Sequence, residues 1–270
     1  MKRSFKLIKR GIYIVLTICF ILLIDIIQPL AAMSTEVISP LFQRALEQTE
    51  KGQFSEALNN WDEFLASSPH DVVAITLRGN CLLALGEAEP AILAQSYALE
   101  LSPSNVEAHL YRGNAEESLH KWDAAAQDYQ WILDRYPNET SALYNLGNVM
   151  IAKSNWKIAE ASFSKAVSVK PDFVMAMSNQ ALVKYQLEKL DESESELRML
   201  IRRYPMFADA RAALSALLWR KGSYGEAESH WIAAKGLDNR YIDREWLLNV
   251  RRWPSIPTND LMTFLELKHL

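Results

Sequence analysis

The sequence predicts an all-helical protein built as an array of antiparallel helix pairs, and three observations carry that prediction. Prolines stand at 69, 103, 137, 171 and 205, each 34 residues after the last, a period typical of arrays in which every repeat is one supersecondary unit. With that proline set as column 32 of a repeat, two other columns are small throughout. Column 8 reads Ala45, Gly79, Gly113, Gly147, Ala181 and Ser215, and column 20 reads Ala57, Ala91, Ala125, Ala159, Ser193 and Ala227. Ten prolines and nine glycines in 270 residues are too few for the many tight turns of an all-β protein.

The first element is not part of the array. Lys2, Arg3, Lys6, Lys9 and Arg10 precede an apolar run of 14 residues, Gly11 to Ile24, which has the length of a signal-peptide core. Ala32 and Ser34 satisfy the small-x-small rule of signal peptidase and place a cut after Ser34. Extended to Met33, the stretch is long enough to span a bilayer with Asp25 at the outer interface, so residues 1–34 are expected to be a signal peptide or an N-terminal membrane anchor. Either way the basic flank stays cytoplasmic and the rest is exported. Ile18 before Cys19 is too large for a lipoprotein site.

Six repeats follow, 38–71, 72–105, 106–139, 140–173, 174–207 and 208–239, within residues 35–239. A helix pair packs closely only where side chains are small, so columns 8 and 20 mark the crossing of helix A on helix B. Column 17 (Phe54, Ala88, Trp122, Trp156, Leu190, Tyr224) and column 24 (Trp61, Gln95, Tyr129, Phe163, Leu197, Trp231) are expected to fill the core between them. The proline ends each helix B. Column 33 offers Ser104, Asn138 and Asp172 as caps of the next helix A, with Ser104 and Glu107 in a capping-box pattern. Gly52, Gly86 and Gly222 occupy the turn inside a repeat, where the other repeats carry His120, Ser154 and Glu188.

The columns resemble the tetratricopeptide repeat (TPR), written almost in full at Ala142-Leu143-Tyr144-Asn145-Leu146-Gly147-Asn148. The resemblance covers residues 38–239 and implies a right-handed superhelical solenoid whose A helices line a concave groove. Residues 240–270 leave the repeat. Ile242, Trp246, Val250 and Trp253 recur at helical spacing, Pro254 and Pro257 interrupt, and Leu261, Phe264 and Leu265 begin another apolar face. This segment is expected to be a C-terminal helical cap over the apolar side of the last helix B. Its stretch Arg251 to Pro257 looks like the tails of TPR proteins from cyanobacteria and plastids, which would place the chain at a plasma or thylakoid membrane, exported to periplasm or lumen.

Chemistry is sparse. Beyond residue 34 there are 24 basic and 32 acidic residues and no basic stripe, which argues against nucleic acid. Cys81 is the one cysteine there, so no intramolecular disulfide forms. The histidines at 70, 109, 120, 230 and 269 form no metal or nucleophile motif, so no enzyme, cofactor or metal is expected. With columns 4, 8 and 11 in the core, columns 2, 5, 6, 9, 12 and 13 face the groove. Asn80, Asn114 and Asn148 (column 9) and Asn145 and Asn179 (column 6) offer a donor and an acceptor together, which suits an extended peptide backbone; the other reading is packing between neighbouring helices. Tyr185 and Trp219 in column 12 are candidate seats for an apolar anchor. The carboxylate clamp of chaperone-binding TPR domains is missing, because its basic columns hold Thr76, Glu107 and Tyr111. The expected partner is a protein or peptide client, with a membrane-protein complex as one form of it. A homo-oligomer organising a membrane surface and an accessory subunit of an enzyme complex are the alternatives.

Overall fold

A computed structural model describes residues 39–267, so the signal or anchor expected over 1–34 lies outside the described residues. The chain divides into two units, 1–44 and 45–270. Of the first, the described part is Ser39 and the opening turn of helix α1, Pro40–Glu50. The second holds the remainder of α1 and α2 (Phe54–Ser67), α3 (Val72–Ala84), α4 (Ala88–Leu101), α5 (Val106–Ser118) and α6 (Trp122–Arg135). It continues through α7 (Thr140–Ala152), α8 (Trp156–Val169), α9 (Val174–Gln186), α10 (Leu190–Arg203), α11 (Ala208–Arg220) and α12 (Tyr224–Leu237). Through α12, odd-numbered helices are the A helices and even-numbered ones the B helices, and from α2 onward consecutive helices pack on one another along the array.

The small columns are small for a steric reason. A Cβ added at Gly147 would lie 2.5 Å from a ring carbon of Phe163, and one at Gly113 would lie 2.7 Å from Tyr129, so column 8 is where the column 24 ring of the partner helix rests. Where serine replaces alanine it is bonded across the same crossing: Ser193 donates to the Ala181 carbonyl and Ser215 to the Ala227 carbonyl. Column 24 is the core, with Trp61, Gln95, Tyr129, Phe163, Leu197 and Trp231 all buried. Column 17 edges it: Ala88 is buried, Trp122, Trp156 and Leu190 are half-buried against the core clusters, and Tyr224 of the last repeat is 64% exposed.

Turns inside the repeats follow one backbone conformation whatever residue occupies them. Gly52, Gly86 and Gly222 have φ of 72°, 86° and 80°, and His120, Ser154 and Glu188 are held at 58°, 55° and 61°, a region that disfavours any residue with a Cβ. The caps lie one residue later than expected. Asp71 accepts from the Ala74 amide, Asn105 from Ala108 and Glu139 from Ser141, so column 34 caps helix A and the Ser104–Glu107 box is not formed.

The tail departs from its expected place. A 3₁₀ turn (Asn239–Ile242), a π turn (Trp246–Val250) and helix α13 (Ser255–Leu267) follow α12. Helix α13 packs chiefly on α11 and reaches α9, both A helices, rather than stacking on helix B as a further repeat would. Ile232 of α12 is left 62% exposed. Tyr241, Leu247, Trp253, Leu261 and Phe264 join α9–α12 in one buried cluster.

Candidate functional site

The A-helix face is the one surface on which the predicted site residues converge. Each A helix brings the same columns to it, because residues three and four apart share a helix face. The asparagines meet there, and they meet each other. Asn145 donates to Asn114 at 2.8 Å and Asn179 donates to Asn148 at 2.9 Å, in each case column 6 of one repeat to column 9 of the repeat before. The Tyr129 hydroxyl also lies 2.8 Å from Asn114 Oδ1 and 2.9 Å from Glu117 Oε2. These amides tie neighbouring A helices together, and Asn148 and Asn179 are buried. Asn80, half-buried, makes no side-chain hydrogen bond among the described residues.

Toward the far end the face is covered by the tail, and the covering is polar as well as apolar. Asp209, in column 2 of the sixth repeat and 1% exposed, is its centre. The Tyr241 hydroxyl and the Trp253 indole N–H each donate to its Oδ1 at 2.9 Å, while the Arg251 guanidinium and the Ser178 hydroxyl donate to Oδ2. Burial lowers the proton affinity of the Arg251 guanidinium, but the Asp209 charge and hydrogen bond outweigh it and hold its pKa above the usual arginine value. Arg251 also reaches Asn179 at 3.4 Å. Arg252 pairs with Glu117 on α5 and lies over the Trp122 ring, 5.6 Å from its centre. Further on, the Ile256 amide donates to Gln186 at 2.8 Å, and Asp260 accepts from Tyr185 at 2.9 Å and from Arg220 at 3.0 Å.

Tyr185 is therefore not an exposed anchor seat. It is fully buried beneath α13, and burial, with Asp260 beside it, raises its pKa well above the ordinary tyrosine range. Trp219 is half-buried and borders a shallow cleft with Tyr224, Phe264 and Leu267.

A model of the tetratricopeptide repeat matches residues 42–106, 110–173 and 178–235. The chain belongs to the tetratricopeptide-repeat family. Among solved TPR structures, one from Parabacteroides merdae superposes with a TM-score of 0.65 at 19% identity, over 85% of this chain and 98% of that one. YrrB, described as a TPR protein with an unusual peptide-binding site, does so at 0.56 and 20% identity, over 71% and 97%. A thermophilic TPR protein of Thermus thermophilus gives 0.51 and 21%, over 67% and 96%. No curated protein matches the chain. As a TPR protein the chain is a scaffold for protein–protein interaction.

Within this TPR array His109, the buried histidine among the described residues, is locally satisfied. His109 stacks on Trp131 with ring centres 3.7 Å apart, and its Nδ1 lies 2.7 Å from Asp128, which also receives Arg112. His70 Nδ1 lies 2.6 Å from the Tyr97 hydroxyl. Among the described residues no cluster of ligating side chains and no helix long and apolar enough to cross a membrane is present. Asp209 and Glu117 were not singled out from sequence, whereas Arg251 and Arg252 stand out there as a pair free to meet anionic partners. The available signal was Arg251-Arg252 in a chain with net negative charge, which points to acidic partners inside the fold.

Proposed function

We propose that the chain is an exported scaffold that holds an extended segment of a client polypeptide against the A-helix face of its second to fourth repeats. The observation that carries this reading is that the same face already holds a non-helical segment of chain. Arg251 to Pro254 is non-helical and lies on it, bonded to side chains of columns 2, 6 and 12. Asn80 adds a free amide, and Val73 beside it in the groove columns is 53% exposed. YrrB, whose structure is described as having a peptide-binding site, is consistent with such a use of the fold. The basic-then-apolar start of the sequence supports export.

A photo-crosslinking residue at Asn80 tests the site. In native membranes it should capture a discrete client, whereas the same probe at Ile158, 45% exposed on a B helix, should not. Equal capture at both positions would remove the A-helix face from the interaction. A reporter fused after Leu270 that is active only outside the cytoplasm tests export.

The homo-oligomeric alternative has one observation in its favour. A cleft of about 1120 Å³ at the end of the array is lined by Trp231, Ile232, Ile242, Met262 and Leu265 among others. Mass that rises with concentration, and stops rising in Ile232→Glu, would support it.

A further inference from the structure

We infer that the A-helix face of repeats three to six is a recognition site for a basic-aromatic peptide, two adjacent arginines followed by an aromatic residue. Arg251-Arg252-Trp253 is its resident, intramolecular ligand. The inference rests on the peptide-scaffold reading and adds to it the chemistry of the occupant.

The contacts have the layout of ligand recognition. Each arginine is met by a separate carboxylate from a different repeat, Asp209 for Arg251 and Glu117 for Arg252, and the indole N–H of Trp253 returns to Asp209. Both acceptors stand in columns that point away from the helix-pair core, and each takes one hydroxyl from the array, Glu117 that of Tyr129 and Asp209 that of Ser178, beside its arginine from the tail. Of the four donors on Asp209, only Ser178 belongs to the array; the other three come from the tail. Without Arg251 and Trp253, Asp209 would open to water with the Ser178 and Tyr241 hydroxyls as its donors among the described residues, a carboxylate left to meet another cation. A charge so placed is explained by a cationic ligand and not by capping, which an apolar pair would serve as well.

The backbone presents the motif. Arg252 has φ of 56°, in the left-handed region, because it ends the π turn: the Arg251 amide donates to the Trp246 carbonyl and the Trp253 amide to the Leu247 carbonyl, and this turn sets the Arg252 and Trp253 side chains against the array. The leash before it, Asp243, Arg244 and Glu245, is exposed. A tethered ligand of this kind faces its site at an effective concentration in the millimolar range for a short linker, so a peptide from another chain binds when the tail yields its place.

The test uses the full chain with a protease site inserted at Asp243–Glu245, cut after folding, and a fluorophore at the C-terminus of the released tail. Helicity should be kept and the tail should stay bound. A peptide of residues 249–258 should displace it, and the same peptide with both arginines replaced by alanine should need at least tenfold higher concentration. Glu117→Gln, at the edge of the site, should weaken retention of the cut tail severalfold without loss of helicity, and Asp209→Asn should weaken it further. Equal displacement by both peptides, or none by either, would overturn the inference, as would loss of helicity on cutting. Doubling of the mass of the uncut chain would assign the site to the tail of a second copy instead. Asn80→Ala, with the photo-crosslinking residue moved to Val73, should leave tail displacement unchanged while it weakens client crosslinking, so this inference and the scaffold reading fail separately.

Discussion

The two ends of the A-helix face are built from the same repeat and present opposite surfaces. In the second repeat column 6 is Leu77 and column 9 is the unbonded Asn80, with Val73 exposed in column 2. In the fifth and sixth, Asn179, Tyr185 and Asp209 occupy columns 6, 12 and 2 and all are buried beneath the tail. Column position decides which way a side chain points, and what lies over it decides whether it meets water. A repeat pattern therefore assigns a residue to a face but not to a ligand.

The sharpest break between the two ends is electrostatic. Asp209→Ala removes the acceptor of a buried guanidinium and of two ring donors together, and breaking one side of a buried ion pair costs about 3–5 kcal/mol. Asn80→Ala removes no contact within the described residues and should stay within about 0.5 kcal/mol. Urea unfolding of both variants measures the difference. In hydrogen exchange, protection should fall in α9, α11 and α13 of the Asp209 variant and nowhere in that of Asn80.

Glu116 separates burial by the repeat from burial by the tail. It neighbours Glu117, where the covered stretch begins, but stands in core column 11, and its Oε2 is buried without a partner. Burial, then the Asp128 charge, raises its pKa to about 7. The folded state thus binds this proton more tightly than the unfolded chain, and the associated stability is present at low pH and lost as pH rises from the ordinary carboxylate range through about 7. Glu116→Gln should raise the melting temperature relative to the parent at pH 8 and have little effect at pH 5. An equal shift at both pH values would show that the carboxylate is not responsible.

The asparagine pairs rank next. Asn145→Ala deletes a donor to Asn114, and such a bond contributes about 0.5–1.5 kcal/mol. A double-mutant cycle on Asn114 and Asn145 should return a coupling of that order, whereas Asn80 with Asn114 should return none. These pairs show how far the sequence could be read. Period, helix boundaries and crossings were legible because proline, glycine and alanine report backbone geometry and close approach, which the local chain decides. The fate of Asn148, Asn179 and Tyr185 was not, since it depends on a segment some 70 residues away that folds back over them. In the sequence, Asp209 in column 2 looks like a solvated acid beside a helix start. Its burial follows from Tyr241, Arg251 and Trp253, which no column contains.

The smallest effect concerns four residues that share a left-handed backbone at the end of a helical turn and differ in what their side chains meet. His120, Ser154 and Glu188 adopt positive φ because the turn inside a repeat requires it, as Gly52, Gly86 and Gly222 show at the same column. Ser154 is exposed, and no hydrogen bond of its side chain holds it there among the described residues. The left-handed region costs a residue with a Cβ about 1–2 kcal/mol, and glycine gives part of that back through its freer unfolded chain. Ser154→Gly should therefore stabilise the protein by about 0.5–1 kcal/mol in urea unfolding. Arg252 has the same φ where it ends the π turn, so Arg252→Gly relieves the same strain but loses the pairing with Glu117 and the stacking over Trp122. It should destabilise, and the loss should vanish in a Glu117→Gln background if the carboxylate is what holds the arginine in place. If Arg252→Gly stabilised the protein as Ser154→Gly does, the side chain at 252 would add nothing to its turn, and the distinction between the covered and open ends of the face would rest on Asp209 alone.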